Sequence, residues 1–333
     1  MKKDIKFGIV GCGAIASFHA DAIANLPGAS LLGVSDNNFD TAKSFAERYG
    51  VKAYKSYDEL LADKNIDAVC ICTPSCFHAE CAIKALKNGK NVALEKPMAL
   101  NTRDADRVIS ATQESGKLLT VISQLRFSPD VLRAKKLVEE GALGKITLCS
   151  LYMKYYRSPE YYKSSSWKGK LSFDGGGALM NQGIHGVDLL EFIAGEVKSV
   201  SGKIRTLSHS IEVEDTAVAN LEFESGALGV IVASTSAYPG FERRIEINGD
   251  EGYLVLKEDK IEKLMLRGVE EKQEQITVNG TAADPLAMSY ALHKSQLENF
   301  VLAINGEAKL LINCHEGRRA LRIIEDIYRS EKG

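Results

Sequence analysis

No stretch of this chain approaches the length of a membrane span, and neither sign of charge prevails. Lysine and arginine number 42 against 44 acidic residues, a formal net charge of −2. That balance leaves no basic footprint for nucleic acid or for an anionic membrane surface. Met1-Lys2-Lys3-Asp4 leads into an apolar run too short and too glycine-broken for the core of a signal peptide, so a cytoplasmic protein is expected. Repeats, low-complexity segments and long linkers are missing as well. The seven cysteines match no zinc spacing: Cys70 and Cys72 alternate along one strand, Cys76 and Cys81 follow out of pattern, and Cys12 lies in a glycine turn. An odd count in a reducing compartment calls for no disulfide, and no metal is expected.

What is there is ordinary globular material. Of the 333 residues 45% are hydrophobic and 26% charged, enough for two domains with sizeable cores. The richest segment is the first. Lys6-Phe7-Gly8-Ile9-Val10 reads as a buried strand, runs into Gly11-Cys12-Gly13-Ala14-Ile15-Ala16, continues as a helix, and a second apolar run ends at Asp36. Strand, glycine turn, helix, strand and acid in that order form a dinucleotide fingerprint. Gly11 permits the tight turn, Gly13 lets a pyrophosphate approach the backbone, and Ala16 lets helix and strand pack closely. The N–H groups of Gly13, Ala14 and Ile15 would face the phosphates at the helix start. Asp36 would accept hydrogen bonds from the ribose hydroxyls. Because Asn37 and Asn38 follow it rather than arginine, a 2′-phosphate would be repelled, and NAD is expected over NADP.

Strand–helix alternation continues to about residue 122: helix 39–49, strand 66–72, helix 76–88, strand 91–94, helix 101–115 and strand 118–122. Alternation of this kind builds a doubly wound parallel sheet. Beyond helix 129–140, strands dominate: 145–156, 197–206, 215–224, 227–237, 241–249, 252–256, 261–266 and 273–278. Several alternate polar and apolar residues, the mark of an antiparallel sheet with one wet face. A helix at 178–193 interrupts them, and two more, near 286–305 and 315–330, close the chain. The expected division is therefore an α/β Rossmann domain over 1–123 and an α+β domain with a large open antiparallel sheet over 124–333.

In parallel sheets ligands gather at the carboxyl ends of strands, where Thr73-Pro74 and Glu95-Lys96-Pro97 both fall. Lys96 either points into that crevice as a functional cation or pairs with Glu95 and reaches for water. The second marked segment is Asp174-Gly175-Gly176-Gly177-Ala178-Leu179-Met180-Asn181-Gln182-Gly183-Ile184-His185-Gly186-Val187-Asp188. Asn181 and His185 stand four apart, on one face of a regular helix, and Asp188 could reach His185. Histidine suits proton transfer near neutral pH. Tyr155, Tyr156, Arg157, Tyr161, Tyr162 and Trp167 form an aromatic, basic stretch that either stacks on a ligand or packs as a strand edge and loop.

Together these motifs resemble the glucose–fructose oxidoreductase / inositol dehydrogenase / rhizopine catabolism (Gfo/Idh/MocA) family. Smaller matches run the length of the chain: Cys72-Thr73-Pro74 with His78, Gln124-x-Arg126-Phe127-x-Pro129, and Glu140-Gly141-Ala142-Leu143-Gly144-Lys145. The resemblance implies oxidation of a secondary hydroxyl on a sugar, cyclitol or nucleotide-linked sugar, with hydride passing to NAD. Lys96 would stabilise charge on the reacting oxygen and His185 would take its proton. It also implies that Thr73, Pro74, His78, Glu95 and Lys96 border the cofactor, and that the Lys96–Pro97 peptide is cis. Arg126, Tyr156, Trp167, Asn181 and His185 are the expected substrate contacts. Asn181 stands where many members carry aspartate, which removes a titratable group. The alternative is a catalytically silent NAD-bound sugar sensor or regulatory protein. The open sheet, with apolar residues at both parities in 216–221 and 227–232, leads to an expected homodimer or homotetramer.

Overall fold

The computed structural model describes residues 3–269 and 289–331. It divides into two compact units, Met1–Gln124 with Ser289–Arg318, and Leu125–Met288 with Arg319–Gly333. The first unit thus ends where the sequence pattern changes, but the chain re-enters it at Ser289.

The first unit opens with β1 (Ile5–Val10), α1 (Ala14–Ala24), β2 (Ala29–Ser35), α2 (Phe39–Tyr49), β3 (Lys52–Tyr54) and α3 (Tyr57–Ala62). It continues with β4 (Ala68–Ile71), α4 (His78–Lys87), β5 (Asn91–Leu94), α5 (Thr102–Ser115) and β6 (Leu119–Val121). The six strands pair in parallel in the order β3-β2-β1-β4-β5-β6. The order reverses between β1 and β4, the switch point outside which a crevice opens. Local chemistry sets the boundaries. Asn38 accepts from the N–H groups of Asp40 and Thr41 to start α2, and Asn101 accepts from Asp104 to start α5, caps worth about 1 kcal/mol each. Ala16 and Ala20 on α1 are fully buried with Ile5, Phe7 and Ile9 of β1, where small side chains let helix and strand approach.

The second unit contains α6 (Pro129–Glu139), β7 (Ile146–Lys154), α7 (Pro159–Lys163), α8 (Leu171–Asp174), a π-helical turn (Ala178–Gly183) and α9 (Ile184–Ala194). Then come β8 (Val197–Arg205), β9 (Thr216–Phe223), β10 (Leu228–Ser234), β11 (Arg244–Gly249), β12 (Gly252–Lys257) and β13 (Lys260–Leu266). Their order is β13-β12-β11-β7-β10-β9-β8. The sheet is mixed, since β7 and β10 pair in parallel while every other pair is antiparallel. The long excursion through α7–α9, β8 and β9 between them makes a parallel crossover possible. Burial alternates along β9 and β10, so one face is core (Ala217, Ala219, Leu221, Ile231, Ala233). On the other face Val218 is 46% and Leu228 59% exposed. The expected strand at 273–278 and the start of the helix expected at 286 lie outside the described residues.

Two helices close the chain, α10 (Ala291–Ile304) and α11 (Cys314–Ser330). Leu297 and Phe300 of α10 are fully buried in the core of the first unit, with the Phe300 ring 6.4 Å from that of Phe7. Gln296 completes the docking: its amide donates to the Val121 carbonyl and Thr120 hydroxyl, and its oxygen accepts from the Ser123 N–H. These bonds satisfy polar groups at the edge strand β6 that would otherwise be buried without partners. All seven cysteines are free. Among the described residues no helix is long and apolar enough to cross a membrane.

Candidate active site

At the end of β1 the chain turns at Gly11, whose φ of +86° an L side chain rarely adopts and whose Cβ would lie 2.7 Å from the Cys72 backbone. A Cβ on Gly13 would meet nothing within 4 Å. Unlike α2 and α5, α1 begins with no side-chain cap, and no acid occupies its first turn. Backbone donors and open space at a helix start suit a pyrophosphate, so the residues of this turn fit the diphosphate of a dinucleotide. Asp36 follows β2, and its carboxylate accepts from the Cys12 N–H at 2.8 Å and the Asn38 N–H at 2.9 Å. The acid of the fingerprint therefore also ties the glycine turn to the end of β2.

The ends of β4 and β5 carry the next group. The Lys96–Pro97 peptide is cis, as the resemblance implied. Glu95 is 5% exposed, and one carboxylate oxygen lies 2.8 Å from His19 Nε2 of α1. Its other oxygen accepts the Lys96 N–H at 3.2 Å. His78, expected beside the cofactor, is 1% exposed and spans two carbonyls, those of Pro97 (2.6 Å from Nδ1) and Thr73 (2.8 Å from Nε2). Burial lowers its pKa, against the raising effect of those two carbonyls. His293, carried in by α10, is 1% exposed with both ring nitrogens unpartnered, and its Nε2 stands 3.8 Å from the Glu95 carboxylate. Burial, then the charge of His19, pushes it down to about 4. His19, Glu95 and His293 bring possible metal donors within 4.8 Å of one another. The 2.8 Å contact is a direct hydrogen bond, however, shorter than the roughly 3.3 Å between two donors on a tetrahedral zinc.

In the second unit, the glycine run serves packing. Gly175 (φ +70°) ends α8. A Cβ on Gly176 would fall 2.1 Å from the Tyr328 hydroxyl, and one on Gly177 2.0 Å from the Glu214 carbonyl. Through that opening the Glu214 carboxylate accepts from the N–H groups of Gly177 and Leu179 and from the Tyr328 hydroxyl, each at 2.8 Å. These donors include N–H groups at the start of the π-helical turn. Burial raises the Glu214 pKa, against the effect of the same donors.

The π turn alters the expected face. Asn181 lies within it and His185 follows in the first turn of α9, so the regular 3.6-residue spacing between them is broken. Asn181 donates its amide to Asp174 at 2.8 Å, and the other Asp174 oxygen accepts from the Gly169 N–H at 2.7 Å. A small recess is lined here by Tyr161, Lys168, Asp174, Asn181 and Gln182, among others.

Arg126, expected to face substrate, is instead 5% exposed and forks onto Asp188, Nε to one oxygen at 2.9 Å and Nη2 to the other at 2.7 Å. That fork occupies the carboxylate considered as an orienting partner for His185. Arg157 is equally buried, held by Gln182 Oε1 and the Tyr156 carbonyl. Tyr156 packs edge-on against Tyr238 and remains partly exposed. Trp167, also partly exposed, precedes Lys168, whose ammonium sits 4.2 Å from the Tyr161 ring.

Residues 5–123 match the family model described as "Oxidoreductase family, NAD-binding Rossmann fold", and residues 131–255 the "GFO/IDH/MocA C-terminal domain". The chain is 34% identical to a myo-inositol 2-dehydrogenase of Thermotoga maritima over 257 residues, 74% of each protein. The chain belongs to the GFO/IDH/MocA oxidoreductase family. A scyllo-inositol 2-dehydrogenase (NAD(+)) of Bacillus subtilis is 30% identical, over 77% of this chain and 75% of that one. Among solved structures, the WlbA dehydrogenase from Bordetella pertussis in complex with NADH and UDP-GlcNAcA superimposes with a TM-score of 0.89 at 32% identity. That match covers 99% of this chain and 97% of the other. The first unit of this GFO/IDH/MocA chain is an NAD-binding Rossmann domain, and the chain is an oxidoreductase.

Within that family frame, three residues of the site carried no assigned role in the sequence. Glu214 sits 35 or more residues from the N–H groups it caps, Asp174 could pass for a polar loop residue, and Gln182 lies inside a helical run. The retrievable signal was the glycine triplet, because three adjacent glycines require a close partner.

Proposed function

We propose that this protein is an NAD-dependent dehydrogenase that oxidises a secondary ring hydroxyl of a sugar, cyclitol or nucleotide-linked sugar, with Lys96 and His185 as its catalytic residues. The observation that supports the reading is that a chain of this family carries both Lys96, just past β5, and His185, on the glycine-led α9. The named relatives act on inositols, and the WlbA structure holds a nucleotide-linked sugar. Bound NAD would supply the acceptor for the hydride of the carbinol carbon. The Gly13 turn and the first turn of α1 would hold its diphosphate, and Asp36 would hold its adenosine ribose and repel a 2′-phosphate. The Lys96 ammonium donates to the reacting oxygen and stabilises the charge that develops as C–H cleavage begins. A ring nitrogen of His185 accepts the hydroxyl proton as the carbonyl forms.

Asn181 contributes a neutral hydrogen-bonding group, with Asp174 fixing its amide. Tyr156 and Trp167 remain candidate sugar or base contacts. Arg126 leaves the substrate set because Asp188 holds its guanidinium.

A panel of inositols, free sugars and nucleotide-linked sugars, followed by NADH absorbance, tests the reading. Turnover of at least one ring alcohol is expected. NAD binding without turnover of any class would favour the silent sensor.

The outer face of the second unit's sheet supports assembly with a second copy of this chain as a dimer or tetramer. Leu148 (47%) and Leu228 (59%) are paired across β7 and β10, and Val218 (46%) lies on the neighbouring β9. Exposed apolar residues on one sheet face can be covered by the same face of a second copy about a two-fold axis. Light scattering on a sizing column is expected to give a multiple of 36.3 kDa. A mass of 36.3 kDa at micromolar concentration would overturn the assembly.

A further inference from the structure

The backbone around Lys96 is held by buried side chains. The Glu95 N–H donates to the Ile71 carbonyl at the end of β4 (3.1 Å), and the Glu95 carboxylate turns back to accept the Lys96 N–H. The opposite carboxylate oxygen is gripped by His19, which is fully buried on α1. A buried ion pair is weak evidence for stability, because desolvation of both charges offsets their attraction. Its presence one residue from the proposed catalytic lysine calls for another reason.

We propose that the His19–Glu95 pair is a positioning device for Lys96, fixing the backbone that presents its side chain and supplying the anion that keeps its ammonium charged. The proposal rests on the reading of Lys96 as catalytic, while the device itself is independent of any substrate.

The charges facing the pair agree. Glu95 is surrounded by His19 of α1, His293 of α10, His78 of α4, Cys72 and Lys96. Burial pushes the Glu95 pKa up, but the hydrogen bond and charge of His19 outweigh it and bring it to about 2. Burial opposes charge on His19, yet its pKa lies well above the usual value. The carboxylate 2.8 Å away is the anion that makes a buried imidazolium tenable. Burial pushes both His293 and His78 down, His293 to about 4. Within the His19–Glu95 pair, the anion is the member bonded to Lys96. Lys96 is also among the charges that keep Glu95 ionised. Linkage is reciprocal, so the carboxylate favours the Lys96 ammonium to the same extent.

Competitive acetylation of the full chain across pH, quantified at Lys96 by mass spectrometry, reads that charge without a substrate. Glu95→Gln is expected to lower the pH midpoint of Lys96 labelling by about half a unit or more, which is about three-fold faster labelling at fixed pH below the midpoint. The neutral, near-isosteric double variant His19→Gln/Glu95→Gln keeps a hydrogen bond across the pair. It is expected to shift the midpoint in the same direction by less, because one cation is lost with the anion. It also covers the case in which Glu95→Gln alone strands a buried imidazolium and fails to fold. A folded double variant with the wild-type midpoint overturns the proposal. So does a double variant that cannot fold, since the charges would then serve folding. Failure of the sugar panel strikes the proposed function and leaves the labelling result standing.

Discussion

Lys96→Met is expected to lower kcat on the identified substrate by about 10²–10³-fold while NADH affinity changes by no more than a few fold. The magnitude is that of removing one preorganised donor aimed at charge that develops in the transition state. Methionine keeps the length of the side chain and deletes the cation. The backbone contacts of this segment, from the Glu95 carboxylate to the Lys96 N–H and from His78 to the Pro97 carbonyl, do not involve the lysine ammonium. The loss is therefore expected in kcat and in kcat/KM alike, the pattern of an interaction made in the transition state. His185→Gln is expected to cost about 10²–10⁴-fold, the usual range for a positioned general base, and to remove the acid limb of the pH–rate profile. The double variant should fall little below the worse single variant, because groups acting on one oxygen do not contribute additively. Steady-state kinetics and NADH fluorescence titration check all three. An unchanged kcat in Lys96→Met would remove the lysine from the chemistry.

The aspartate missing at position 181 has a physical account. Asn181 donates to Asp174 at 2.8 Å, and Asp174 is almost fully buried. An aspartate at 181 would set two carboxylates against each other, and one would have to bind a proton at high cost. Here the carboxylate stands seven residues away, at Asp174, and accepts from the Asn181 amide.

How much of this was legible follows from range. The first unit could be read element by element because its signals are local: a glycine turn after an apolar run, Asn38 and Asn101 as caps, and short buried strands. The return of residues 289–318 to that unit could not be read, since an apolar helix face does not say which core it enters. His293 and Gln296 consequently had no assigned partners. The π turn at Ala178–Gly183 escaped because spacing arguments assume 3.6 residues per turn. The parallel β7–β10 pair escaped because alternation reports a half-buried strand and not its direction. Arg126 and Asp188 stand 62 residues apart. The sequence assigned one to substrate and weighed the other as a partner for His185, and the structure joins them to each other.

That pairing makes the second large prediction. Arg126→Met is expected to destabilise the protein by about 3–5 kcal/mol, the cost of stranding one partner of a buried ion pair. The side chains of both residues are nearly inaccessible, at 5% and 6% exposure. The guanidinium also stacks 4.7 Å from the Phe192 ring, so methionine replaces some packing but none of the donors. Arg126→Lys is expected to recover less than half of the loss, because an ammonium cannot reproduce the two-pronged fork onto both oxygens. Arg126→Met with Asp188→Leu removes both charges and is expected to return to within about 1–2 kcal/mol of wild type. Urea unfolding of the three variants measures this. A substrate-binding arginine would behave in the opposite way: Arg126→Met would keep its stability and raise KM for the sugar, and Asp188→Leu would rescue nothing. The double variant is the deciding member, because restored stability can arise only if the charge left behind by the first substitution was what unfolded the protein.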